Sequence, residues 1–163
     1  MDNVKDVLRT ISAANGVEIE FDEAGACALP LADGRFLQIQ VREGLGEVDL
    51  VATLGEVPEN VRGPVFQALL AANYYWKETL GATLSWHLEL EQAILSYPIP
   101  YETTDEATLG TVFGNFLKLQ EEWAKRLRDD IAEAQASKTE ENEENDELEE
   151  DGPSTRPEVR IEG

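Results

Sequence analysis

The chain has 163 residues, 42% of them hydrophobic, with 34 acidic side chains against 13 basic ones and a formal net charge of −21. That length suits one domain with a core large enough to need neither disulfides nor metals. The charge repels phosphate backbones and anionic lipid, so neither nucleic acid nor a membrane surface is an expected partner.

Val4, Val7, Leu8 and Ile11 recur at helical spacing ahead of Asn15-Gly16 and predict a first helix over about 3–14. Val17, Ile19 and Phe21 then alternate with Glu18, Glu20 and Asp22 as a short extended segment. Residues 26–31 form a candidate strand. Asp33-Gly34 turns it into a second strand over 35–42, where Leu37, Ile39 and Val41 alternate with Gln38, Gln40 and Arg42. The chain turns again at Gly44 to Gly46, and Val48, Leu50, Ala52 and Leu54 mark a third strand.

A second helix is expected from Pro58 to about Thr79, with Gly63-Pro64 disturbing its first turns so that the helix proper starts at Pro64. Ala82, Leu84, Trp86, Leu88 and Leu90 alternate with Thr83, Ser85, His87 and Glu89 as a long strand, which Glu91-Gln92 turns back into a strand over 93–99 closed by Pro98 and Pro100. A third helix begins near Asp105 and carries Leu109, Val112, Phe113, Phe116, Trp123, Leu127 and Ile131 at helical spacing. After Ser137 the hydrophobic period is lost. Residues 137–163 hold 11 acids against 3 bases and no aromatic residue, so a domain over 1–136 is expected to carry an acidic disordered tail. The domain is acidic in its own right, at −13. Strands joined by tight turns, with helices between the blocks, indicate an α+β fold: helix, three-stranded antiparallel meander, helix, β-hairpin, helix, in two layers.

Catalytic constellations are scarce. Cys27 is the single cysteine, which rules out an intrachain disulfide and suits a reducing compartment. The N-terminus lacks the basic and apolar regions of a secretory signal, and no apolar run reaches bilayer length. His87, the only histidine, falls on the polar phase of its strand. A Cys27–His87 dyad is conceivable, but nothing in Ala26-Cys27-Ala28-Leu29 activates the thiol. Two such residues cannot build a closed zinc site. The acidic run from Glu140 to Asp146 lacks the glycine-centred loop of a calcium site, and no glycine-rich phosphate loop is present. The expectation is a protein that binds without catalysis and without cofactor or metal.

Tyr74-Tyr75-Trp76 point to association. Three adjacent positions cover about 300° of a helix, so at least one of them faces away from its own sheet. Phe36 and Val51, apolar residues out of phase in the meander, point likewise to an uncovered face.

The run Leu70-Ala71-Ala72-Asn73, then Gly81-Ala82-Thr83-Leu84, then Ala93-Ile94-Leu95 with Ile99-Pro100, and finally Phe116-Leu117 with Trp123, resembles the class I type III secretion chaperones, the Tir-chaperone group. The similarity covers about 4–127. It implies a cytoplasmic bacterial homodimer that binds the N-terminal segment of a secreted effector in extended form. Strand addition and apolar docking would keep that segment soluble and recognisable to the secretion apparatus and its ATPase. The resemblance places the dimer interface at Asn73, Tyr74, Trp76, Leu84, Trp86 and Leu88, and the client contacts at Val4, Val7, Leu8, Ile11, Phe36 and Val51. It assigns the acidic tail no role. The alternative, drawn from charge alone, is an acidic module that sequesters basic partners electrostatically.

Overall fold

The computed structural model describes residues 4–150, with side chains through residue 140. In chain order the elements are α1 (Val4–Ala14), β1 (Ala26–Pro30), β2 (Phe36–Arg42), β3 (Glu47–Glu56), α2 (Arg62–Ala72), β4 (Thr83–His87), β5 (Gln92–Pro100) and α3 (Glu106–Glu150). The five strands form one antiparallel sheet in the order β1-β2-β3-β5-β4, so the fold is the expected α+β arrangement.

The meander follows from its side chains. Asp33 and Gly34 both take positive φ, 61° and 75°, which lets the chain reverse tightly between β1 and β2. Pairing of Cys27 with Ile39, Ile39 with Leu50 and Val41 with Val48 then stacks the apolar phase of three strands on one face. There Leu37, Ile39, Val48 and Leu50 are wholly buried with Leu8 of α1 and Leu109, Phe113 and Phe116 of α3. Pro100 is the last residue of β5 and closes it, whereas Pro98 lies inside the strand. Pairing with β4 stops at Ser96, so beyond that point β5 has a partner on one side only and a missing amide donor costs little.

Three boundaries differ from expectation. α2 starts at Arg62, because Gly63 and Pro64 fall in its first turn, where amides have no intrahelical acceptor to lose. It ends at Ala72, well before Thr79, and Tyr74–Trp76 form a separate 3-10 turn. β4 is short, ending at His87, with Leu88 to Leu90 in the turn that follows. The segment 17–21 is extended but belongs to no strand, and only Ile19 is buried.

α3 departs most. Asp105 Oδ1 accepts the Thr108 amide at 2.8 Å and caps the helix start; that backbone hydrogen bond holds the carboxyl below its ordinary range. The buried stripe runs from Leu109 to Leu127, with Ile131 and Ala134 packed partly against the core. The helix does not stop near 136; it continues to Glu150. Hydrophobic period and helical propensity are separate signals here. Glutamate, alanine, glutamine and lysine favour helix without a buried face, and after Gly114 the next glycine or proline is Gly152. Residues 151–163 of the expected tail lie outside the described residues.

A buried polar link ties the β1–β2 turn to the middle of α3. Arg35 is 4% exposed; its Nη1 donates to Gln120 Oε1 at 2.6 Å and its Nη2 to both Glu121 oxygens at 3.1 Å. The Gln120 amide also donates to Glu121, and this bond, with Arg35, holds the Glu121 carboxyl below its ordinary range. Glu121 is thus part of the fold's wiring and not only a solvated acid.

Candidate binding surfaces

Of the eight large hydrophobic side chains exposed among the described residues, seven lie between Leu70 and Leu90: Leu70, Tyr74, Tyr75, Trp76, Leu80, Leu88 and Leu90. Leu45, in the β2–β3 turn, is the exception. This stretch, which flanks the border strand β4 at both of its ends, therefore carries nearly all of the exposed large apolar side chains among the described residues. Tyr74 is 75% exposed and Leu88 77%, and the Tyr74 and Tyr75 rings meet edge to face at 4.6 Å.

This loop is presented, not loose. Asn73 ends α2 and turns its amide onto the border strand β4: Nδ2 donates to the Leu84 carbonyl and Oδ1 accepts the Leu84 amide, both at 2.9 Å. A side-chain amide thus pairs the strand edge as a neighbouring strand would. From below, Trp123 of α3 donates its indole N–H to the Glu78 carbonyl at 3.3 Å, and Arg126 pairs with the Glu78 carboxylate while stacking on Trp123. Between these clamps Tyr75, Trp76 and Leu80 hold positive φ of 56°, 51° and 50°. Bulky residues take that conformation only where surrounding contacts enforce it. The Asn73→Ala variant loses both bonds to Leu84 and should lose about 2 kcal/mol of stability, read by chemical denaturation.

Of the expected dimer residues, Tyr74, Trp76 and Leu88 are on this surface. Leu84 is not: it is 4% exposed and belongs to the core, because its phase of β4 faces inward. Trp86 is half-buried, stacked on Phe66 at 5.0 Å under the Arg62 guanidinium. Asn73 serves the strand edge. Leu70, Tyr75, Leu80 and Leu90 complete the patch without having been expected there. All three aromatics are exposed because the helix on which the 300° argument relied has already ended.

The six expected client residues do not form one surface. Val4 and Leu8, 6% and 0% exposed, are core residues and are unavailable to a ligand. Val7 and Ile11 line a hollow of about 230 Å³ with Asp6, Thr10 and Glu106. Phe36 and Val51 are half-buried on the opposite sheet face, since Val51 alternates with the buried Leu50 and Ala52. A feature absent from the sequence reading lies between them. A groove of about 670 Å³ runs between α1, the extended segment 17–21 and β1, lined by Arg9, Ala13, Glu18, Glu20, Ala28 and Leu29, with Ile19 and Cys27 in its floor. Its walls mix alanines with Arg9, Glu18 and Glu20 from separate elements, so no single apolar period announces it. β1 pairs only with β2, which leaves its other edge along this groove.

Cys27 and His87 stand on strands at opposite borders of the sheet, so they form no dyad, and His87 Nδ1 accepts the Leu90 amide at 3.2 Å. Among the described residues no cluster of three or more metal-ligating side chains occurs, and no helix is long and apolar enough to cross a membrane.

Solved structures share this architecture. A structure of the HopA1–SchA chaperone–effector complex superposes with a TM-score of 0.58 at 20% identity, over 75% of this chain and 93% of that one. The ExsC–ExsE complex gives 0.63 at 16% identity, over 77% and 94%. The heterodimeric ExoU–SpcU complex from the type III secretion system of Pseudomonas aeruginosa gives 0.57 at 20% identity, over 76% and 97%. These likenesses show the fold. No curated protein matches the chain significantly. Residues 6–124 match the sequence profile of the Tir chaperone protein (CesT) family.

Proposed function

The chain belongs to the Tir chaperone protein family, and from that premise we propose that it works as a cytoplasmic homodimer holding the N-terminal segment of a type III secreted effector in extended form. The observation that carries this reading is the separation of two surfaces. The aromatic patch is at the β4 border of the sheet and the α1–β1 groove at the β1 border. Two copies joined through the first would leave both grooves open at the ends of one continuous particle.

In the groove, the outer edge of β1 beyond Ala26, whose amide and carbonyl are already bonded to Asp22, offers the Ala28 backbone to an added strand, while Ile19, Cys27 and Leu29 receive its inward side chains. A segment leaving the groove over the β1 edge reaches Phe36 and Val51 on the outer face; one leaving along α1 reaches Val7 and Ile11. An extended ligand that wraps the domain meets all of these, which a folded ligand of groove width would not. None of this needs catalysis, nucleotide or metal.

Salt separates this reading from capture by charge alone. Attraction between exposed charges is screened within about 8 Å at physiological ionic strength and about 3 Å at 1 M. Titration of an effector's N-terminal fragment into the protein should therefore give an affinity that survives 1 M sodium chloride within about tenfold. Loss of binding at that salt would instead support the acidic module.

A further inference from the structure

On the side of α2 away from the aromatic patch lies a second apolar hollow, which neither binding surface uses. It holds about 460 Å³ between Pro64 and Ala68 of α2 and Ala134 of α3, rimmed by Asp130, Glu133 and Lys138. Ala68 stands about 160° around α2 from Leu70, so the two features face different directions.

The acid in this hollow is unmatched. Asp130 Oδ2 is buried without a hydrogen-bond partner, and burial raises its carboxyl above the ordinary range despite the nearby Arg126. An apolar floor beside a partly buried carboxylate with an unpaired oxygen suits a ligand with aliphatic side chains interleaved with cations.

One stretch of this chain has that chemistry. After Lys138 the only bases are Arg156 and Arg160, and they stand with Pro157, Val159 and Ile161, Glu158 among them. The reach is sufficient. From Glu150 back to the level of Ala134 is about 24 Å of helix rise, and the nine residues from 150 to 159 span up to about 30 Å.

We propose that the segment Arg156 to Ile161 seats in the α2–α3 groove of its own copy, with Val159 and Ile161 on the apolar floor and the two arginines against Asp130 and Glu133. Any partner that uses this groove must then displace the segment with the same alternation of aliphatic and cationic groups.

The full chain in a Cys27→Ala background, carrying Ala68→Cys and Val159→Cys, tests this by air oxidation and non-reducing electrophoresis. The expected product is a fast-migrating monomer closed by an internal disulfide. It should form at least tenfold faster than with Ala132→Cys and Val159→Cys, since Ala132 lies at the same height on the opposite side of α3. Adding Arg156→Glu and Arg160→Glu, both remote from the folded core, should slow closure at least fivefold. Equal rates for the two cysteine pairs would overturn the proposal. So would covalent dimers as the main product, which would give the groove to a second copy, or indifference to the charge reversal.

Discussion

An aspartate at Tyr74 or Leu70 should split the dimer. Both side chains are largely exposed in the single chain, at 75% and 70%, so the substitution leaves the core's contacts in place and removes at most the Tyr74–Tyr75 ring contact. In a dimer built on this patch the new carboxylate is desolvated without a partner, at a cost of several kcal/mol. Because 1.4 kcal/mol is tenfold, the dissociation constant should rise at least about a hundredfold for either variant. Light scattering on the wild-type protein should give twice the 18.1 kDa chain mass at micromolar concentration, and the variants one chain. Leu45→Asp serves as the control, being 63% exposed but outside the patch, and should remain dimeric. A monomeric wild type, or variants that all stay dimeric, would remove the patch from the interface.

The second large effect concerns the client. Ala13 is an exposed small residue on the α1 wall of the α1–β1 groove, where Glu18 and Glu20 already stand. Replacing it by glutamate narrows the slot and brings three carboxylates together. A strand that must enter there meets steric exclusion and desolvates those charges. Affinity for an effector's N-terminal segment should fall at least about a hundredfold in titration calorimetry, with the mass of the dimer unchanged. Unaltered affinity would show that the groove is not the docking site. The two pairs of experiments are independent, since the surfaces lie at opposite borders of the sheet.

Much of this architecture is legible in the residues. Alternation over Leu37 to Val41 and Val48 to Leu54, with Asp33-Gly34 between the first strands, specifies the meander and which phase is buried. The stripe from Leu109 to Leu127 specifies α3. What is hidden depends on partners distant in sequence. Asn73 looks like one more helical residue until Leu84 supplies a strand edge for its amide. The left-handed turn at Tyr75 and Trp76 is held by Trp123 and Arg126, some fifty residues away. The family resemblance puts Leu84, Val4 and Leu8 on binding surfaces, but a resemblance carries positions without saying what covers them, and here their own core does. The groove is hidden because its walls come from three separate elements, so the alternation of Glu18 and Glu20 with Ile19 does not announce it.

The end of α3 teaches a related distinction. Loss of a hydrophobic stripe after Ala134 signals the end of burial, not the end of helix. With no glycine or proline between Gly114 and Gly152, propensity carries the helix on to Glu150.

In the proposed complex the chain holds an unfolded segment of its effector along the α1–β1 groove. Hydrogen–deuterium exchange on the complex with an intact effector reads this directly. New protection is expected in this chain over about 9–29, matched by protection confined to the effector's N-terminal segment. Protection confined to a folded domain of the effector, or none along the groove, would contradict it.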